Sequence, residues 1–475
     1  MKSIQIKEII KAVDGRLLWG EEEQNITSVS TNSKEIKKGA LFVPIIGERV
    51  DAHDFMESAF SQGAVAAFTS RHKTKEECGN QGTCIYVKDT QKALQDFAAY
   101  YRSLFTLPII GITGSVGKTT TKEMIAAALG MKYKVLKTAG NMNSQVGLPL
   151  MMFHIEEDTQ IAVIEMGMSE EGEMKRLAYI ARPETVVMTN IGVSHIGQLG
   201  SQENIRREKL TIINTFKEGN RLYLNAEDPL LWEIGKNPEI SMWEETKKAA
   251  SLTKYSYYGL GKSPDARAEN IEIKGKETFF DFILGDCCEP IILSVLGIHN
   301  VENAVAALAV AKQYGIDPKI AKIGLKAYEP MAMRGQIFEN KGIRIIDDTY
   351  NASPDSMKSG IHVLLEMKDL KRRIAVLADI LELGEISESC HYEVGEYIAK
   401  ERNQDRQINM LVTVGKEAKA IGRGAKEALS IYSFDTGEEA IAFLLENTMA
   451  GDGILVKGSR GMHMEKVVEA LSREE

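Results

Sequence analysis

Between Leu107 and Gly130 the chain reads LPIIGIT, then GSVGKTT, then TKEMIAAALG. An unbroken apolar run feeds a loop of small residues that opens directly into a helical pattern, and few folds accept that order. A loop so placed turns consecutive backbone N–H groups toward an anion, and the dipole of the following helix adds to the attraction. Gly114, Ser115, Val116, Gly117, Lys118, Thr119 and Thr120 are therefore expected to cradle a nucleotide triphosphate. Lys118 would reach the β- and γ-phosphates, and the Thr119 hydroxyl would ligate Mg²⁺. The spacing departs from G-x-x-x-x-G-K-[ST]. Ile112 stands where the first glycine belongs and Gly111 lies one residue early, which leaves a T-G-x-x-G-K-T variant.

Apolar strands alternate with helix-length segments on both sides of this unit. Residues 1–105 read as a small α/β domain, with ALFVPIIG (Ala40 to Gly47) and AVAAFTS (Ala64 to Ser70) as strands. Residues 106–328 add KVLKT, QIAVIEMG, TVVMTNIG and RLYLN, and end on the helix NVENAVAALAVAKQYG with Gly315 as its stop. Residues 329–475 restart the pattern with IRIID, RRIAVLAD, INMLVTVG and GILVKG. The expectation is a three-domain α/β protein whose central sheet is largely parallel and covered on both faces.

The 475 residues suit several domains rather than one core, and 44% hydrophobic content is enough to fill each. A formal net charge of −9 without a long basic block argues against nucleic-acid binding. Cys78, Cys84, Cys287, Cys288 and Cys390 show no paired metal-type spacing and read as reduced thiols. The N-terminus MKSIQIKEIIKAVDG lacks the apolar run of a signal peptide, and no stretch reaches membrane-span length. A cytoplasmic protein without membrane insertion is expected.

Other residues sit where ligands gather. Glu165 ends the strand IAVIE and His195 follows TVVMTNIG, both at the carboxyl edge of the sheet. Each is a candidate metal ligand, against the plainer alternatives of an exposed carboxylate and a loop histidine. Lys209 shares a helical stripe with Ile205, Ile212 and Ile213, while Arg206, Arg207 and Glu208 are expected to point elsewhere. It either snorkels to solvent or is desolvated into a reactive neutral amine. Asn300 and Asn303 could offer amides to a purine, although Asn300 could instead cap its helix. Asp348 could meet ribose or Mg²⁺. Arg334 lies between the second and third domains, and Lys457, Ser459 and Arg460 suit carboxylate capture.

Taken together, TGSVGKTT, GNMNSQVGLP, VIEMG, NIGVSHIGQLGSQENIRREK, LGIHNVENA, RGQ, DDTYNASPDSM, HYEVGEYI and LVKGSRG resemble the Mur ligases. The likeness runs from about residue 30 to 470. DDTYNASPDSM and KGSRG are its most specific parts, resembling the members that add D-alanyl-D-alanine to a UDP-N-acetylmuramoyl-tripeptide. The resemblance implies a UDP-sugar-binding first domain, a central ATPase domain and a Rossmann-like third domain. It implies ATP held by the loop together with Asn300, Asn303, Arg334 and Asp348. It implies two Mg²⁺ sites drawing on Thr119, Glu165, His195 and Lys209, the lysine carbamylated by CO₂. It places substrate at Ser30, Gly47, Glu48 and His53, at Thr138, Asn141 and Asn143, and at Tyr350, Asn351, Lys457, Ser459 and Arg460. Lys118, Lys209, His195 and Glu165 would carry the chemistry, in a monomer.

Two other readings compete. A sibling ligase, such as a folylpolyglutamate synthase or the ligase adding the third peptide residue, would share the loop but not YNASPDSM, KGSRG or the UDP-region likeness. A P-loop regulatory switch would leave the third domain and Lys209 without a role, and the guanine-reading N-K-x-D segment is absent from the sequence.

Overall fold

Every residue of the strand Ile109–Thr113 is buried, so both of its faces must be covered, and it lies in the interior of a nine-stranded sheet. The computed structural model describes residues 1–78, 82–237, 242–261, 264–402, 406–426 and 430–473. Ile109–Thr113 pairs in parallel with Ile161–Glu165 on one side and Thr185–Met188 on the other. Val135–Lys137 lies outside Ile161–Glu165. The chain thus builds outward in one direction from Ile109–Thr113 and then returns to its other side. That reversal leaves a crevice at the carboxyl ends of these strands, where ligands of such sheets bind.

Beyond Thr185–Met188 the sheet continues through Arg221–Asn225, Lys254–Leu260, Ala266–Lys274, Glu277–Leu284 and Cys287–Leu293. The last two pairings are antiparallel. Arg221–Asn225 was expected as a strand, but the four strands beyond it were not foreseen, although Ala266–Lys274 and Glu277–Leu284 alternate buried and open residues, as a one-sided sheet requires. Apolar side chains fill both faces of the nine-stranded sheet, and Ile298–Gln313 packs across one of them. That helix stops at Gln313 rather than running to Gly315, whose φ of +72° suits a glycine just past a helix end.

A five-stranded sheet runs in the order Arg16–Trp19, Thr83–Tyr86, Ala64–Thr69, Ala40–Phe42, Ser28–Ser30. The strand expected over residues 40–47 stops at Phe42, because Pro44 offers no N–H to continue the ladder. Thr90–Ser103 ties this lobe to the central one. Arg102 on that helix is buried and donates to three backbone carbonyls, those of Phe105, Leu107 and Ala181. A third sheet of six strands orders Gln336–Asn340, Ile343–Asp348, Asp452–Lys457, Arg372–Ala378, Met410–Val414, Ser430–Phe434, all parallel except the first. The architecture is three-domain α/β with mostly parallel central and third sheets. Among the described residues no helix is long and apolar enough to cross a membrane.

Candidate active site

The loop after Ile109–Thr113 is held by the next strand's exit. That strand stops at Met188, which frees Thr189 and Asn190 to brace the loop. Asn190 Oδ1 accepts from the amides of Ser115 and Val116 at 3.2 and 2.8 Å, and its Nδ2 donates to Val116 O. Gly114 has a φ of +146°, and a Cβ there would stand 1.9 Å from Thr189 Oγ1, so only glycine fits. Gly117, in left-handed geometry, opens the helix Lys118–Leu129. Asn190 was missed from sequence because its partners lie about 75 positions away.

Glu165, buried at the carboxyl end of its strand, accepts from Thr119 Oγ1 at 2.9 Å and from Asn143 Nδ2 at 2.8 Å. Its backbone amide donates to Thr138 Oγ1 at 2.9 Å. Thr138 and Asn143, expected at substrate, thus fix Glu165 beside the loop. Asn141 is exposed and lies outside the cleft lining.

Lys209 is 2% exposed and its Nζ donates to Gly114 O at 3.2 Å; Lys118 Nζ donates to the same oxygen at 2.8 Å. Snorkelling is therefore excluded. Burial, and behind it the Lys118 charge, pushes the Lys209 ammonium well below the usual lysine range. The apolar stripe through Ile205, Ile212 and Ile213 is buried. Arg206 and Glu208 point elsewhere, as expected, although both are buried as well. Glu208 accepts from Met174 N, and Arg206 lies against Glu233 and Leu230 O. His195 Nδ1 stands 2.9 Å from Glu382 Oε2 of the third lobe, in an unaligned contact that makes no hydrogen bond. Burial lowers its pKa; Glu382 opposes that, and Lys209 and Lys118 add to it. Lys118, Glu165, His195 and Lys209 therefore occupy one region.

The loop forms one wall of a cleft of about 910 Å³ whose other wall comes from the third lobe. Arg334 stacks 3.7 Å over the Tyr350 ring, and both line the cleft. Asp348 and Asn351 line it with Lys457, whose Nζ donates to Asp348 Oδ2 at 2.6 Å and to Asn351 O at 3.0 Å. Asn303 Oδ1 accepts from Thr121 Oγ1, and Asn300 Nδ2 donates to Leu296 O. The cap of their helix is Gly297, so Asn300 does not cap it. Ser459 and Arg460 lie outside the cleft lining: Ser459 Oγ accepts from Leu381 N, and the exposed Arg460 reaches Met333 Sδ.

The first-lobe residues stand apart from this cleft. His53 is buried, with Nδ1 2.6 Å from Asp51 Oδ1 and Nε2 accepting from Ser70 N. Ser30 Oγ bonds the backbone of Asn32, while Gly47 and Glu48 lie in an exposed turn.

Comparison with known proteins agrees with this arrangement. The Mur ligase family catalytic domain matches residues 25–102, the Mur ligase middle domain residues 112–311, and the Mur ligase glutamate ligase domain residues 333–460. The chain belongs to the Mur ligase family. Among Mur ligases, the UDP-N-acetylmuramoyl-tripeptide–D-alanyl-D-alanine ligase of Bacillus subtilis is 37% identical over 98% of both chains. The crystal structure of MurF from Acinetobacter baumannii superposes with a TM-score of 0.88 at 29% identity, covering all of both chains. MurF ligase from Thermotoga maritima, solved in complex with ADP, gives 0.80 at 28% identity, covering 94% of this chain and 97% of that one.

Proposed function

We propose that this Mur ligase uses ATP to join D-alanyl-D-alanine to UDP-N-acetylmuramoyl-tripeptide, yielding UDP-N-acetylmuramoyl-pentapeptide, ADP and phosphate in peptidoglycan precursor synthesis. The reading is carried by a phosphate-type loop flanked by Glu165 and the buried Lys209, in a cleft closed by a second lobe. Full-length similarity to ligases of that name supports it. The division of labour follows the lobes: residues 1–105 take the UDP-sugar, 106–328 take ATP, and 329–475 take the dipeptide and part of ATP. The protein acts as a cytoplasmic monomer, without nucleic acid.

The loop amides and Lys118 hold the β- and γ-phosphates and offset charge on the transferring group. Asn300, Asn303, Arg334 and Asp348 complete the nucleotide site. The hydroxyl of Thr119 and the carboxylate of Glu165 form a hard oxygen pair of the kind Mg²⁺ accepts beside phosphate. When bound there, Mg²⁺ neutralises phosphate charge. Lys209 meets the requirement for carbamate formation: its neutral amine adds to CO₂, one proton leaves to solvent, and an anionic oxygen ligand results. With His195 it would serve a second Mg²⁺. The tripeptide carboxylate attacks the γ-phosphorus, ADP departs, and the amine of the dipeptide displaces phosphate from the acyl phosphate.

The test is incubation with ATP, Mg²⁺, UDP-N-acetylmuramoyl-tripeptide and D-alanyl-D-alanine, with mass spectrometry of the product. Pentapeptide is expected. Phosphate release indifferent to any amine would leave an ATPase or switch instead.

A further inference from the structure

Amide formation needs a free amine, yet the dipeptide arrives as an ammonium ion. The geometry points to Asp355 as the catalytic base that receives this ammonium and removes its proton, an inference that rests on the ligase reading. Asp355 lies in the first turn of Pro354–Glu366, on the third-lobe side of the cleft. Its Oδ2 stands 2.7 Å from where a Cβ on Gly192 would be; Ser115 Cβ lies 3.2 Å from that same point, and Gly192 N donates to Ser115 Oγ at 2.8 Å. The carboxylate therefore meets the tip of the phosphate loop, and the missing side chain at 192 makes room for it. An acyl phosphate formed on that loop keeps its carbonyl carbon one bond beyond the phosphoryl oxygen. The attacking nitrogen must come within about 3–3.5 Å of that carbon.

The start of this helix does not call on Asp355, because Ser353 and Ser356 form the capping box between them. Neighbouring cleft carboxylates are engaged: Glu165 by Thr119 and Asn143, Asp228 by the amides of Ile191 and Leu231, Glu302 by Asn225, Asp348 by Lys457. Among the described residues no hydrogen bond or ion pair engages the Asp355 carboxylate. Asp355 is exposed at the rim of the cleft, yet partial desolvation of its carboxyl raises its pKa, with Lys358 on its own helix opposing and Glu393 adding; Asp228 faces it from the central lobe.

In the step, Asp355 takes one proton from the ammonium. The freed lone pair forms the C–N bond, the C–O bond to the phosphoryl group breaks, and phosphate leaves with that electron pair and the second nitrogen proton. Asp355 then returns its proton to solvent.

Asp355→Asn in the full-length protein tests this. Pentapeptide formation should fall about 10²-fold or more, the usual contribution of a positioned base. Hydroxamate formation from hydroxylamine, which is already neutral at pH 7, should change by less than threefold, and it shows that the variant is folded. The variant's ligation rate should rise about tenfold per pH unit below the amine pKa, and Asp355→Glu should recover part of the loss. Ligation within threefold of wild type, or hydroxamate falling in parallel with pentapeptide, overturns the assignment. A wild-type protein that makes hydroxamate but no pentapeptide removes the ligase reading, and this inference with it.

Discussion

Lys118 and Lys209 donate to one carbonyl oxygen, that of Gly114, at 2.8 and 3.2 Å. Lys209 is buried and Lys118 half-buried, and two ammonium groups cannot share a single acceptor without mutual repulsion, so the pair favours a state in which one of them is neutral. Lys209 carries the stronger downward push, from burial and from the Lys118 charge. Lys118 is also lowered by burial, but Glu165 supports its charge. The loop lysine is thereby kept as the cation and the helix lysine as the amine.

Replacing Lys209 by Met should abolish turnover and at the same time stabilise the fold. The folded protein prefers a neutral Lys209, so the unfolded chain binds more protons until pH approaches the ordinary lysine value of 10.5, and stability should rise with pH over that window. Lys209→Met should flatten that slope and raise the Tm of the central lobe, whose size corresponds to about 2–4 °C per kcal/mol recovered. Thermal melts from pH 7 to 10 would show it. Phosphate release by Lys209→Ala should return in part with a high concentration of a small carboxylate. A Lys209→Ala protein near the wild-type rate would end the carbamate role.

Asn143 and Thr119 grip opposite oxygens of Glu165. Asn143→Asp would set one carboxylate against another and turn Glu165 away from the loop. The Mg²⁺ concentration for half-maximal turnover should rise about tenfold, equivalent to roughly 1.4 kcal/mol. A titration of activity against Mg²⁺ at saturating ATP checks this, and an unchanged midpoint would deny Asn143 the orienting role.

The loop and Glu165 were legible because strand, loop and helix follow one another without interruption and each residue's position follows from its own element. Lys209 was legible from helical spacing alone. What spacing could not reveal is which contacts close over long separations. Asn190 braces the loop from the neighbouring strand, and Thr138 and Asn143 turn toward Glu165 rather than only toward solvent. His53, which the resemblance places at the UDP-sugar, has its two nitrogens met by Asp51 and by the backbone of Ser70, 17 positions away, a contact no local spacing announces. The strands from Lys254 to Leu293 escaped notice although their alternation and the turns at Gly275 and Gly285 were present. A one-sided antiparallel pattern is weaker than the continuous apolar strands beside it.

Glu302, half-buried, lines the same cleft, with its pKa pushed up to about 7 by desolvation; Asn225 opposes the rise, and Glu227 and Asp228 add to it. A carboxyl raised on folding lends stability that is complete below its ordinary value and is lost as pH climbs through 7. Glu302→Gln keeps an acceptor for Asn225 and does not ionise. The variant and wild type should match at pH 4, whereas at pH 8 the variant should be the more stable by up to about 3 kcal/mol. Urea unfolding at the two pH values gives the comparison; equal stability at pH 8 would mean that Glu302 ionises freely.

Closure of the third lobe depends on two glycines meeting. A Cβ at Gly384, whose φ is +57°, would stand 3.5 Å from Gly197 Cα, and one at Gly197 would stand 3.3 Å from Glu382 O. The same contact holds Glu382 against His195. Valine at 384 would be strained by the positive φ and would wedge these backbones apart, withdrawing Glu382 from His195 and the third-lobe wall from the loop. Nucleotide contacts confined to the central lobe would survive. Gly384→Val should therefore lose the Arg334 and Asp348 contacts and weaken ATP-analogue binding, but by less than it lowers pentapeptide formation, which should fall at least tenfold, and small-angle scattering should report a larger radius of gyration. An unchanged radius with unchanged turnover would show that the lobes meet without this contact.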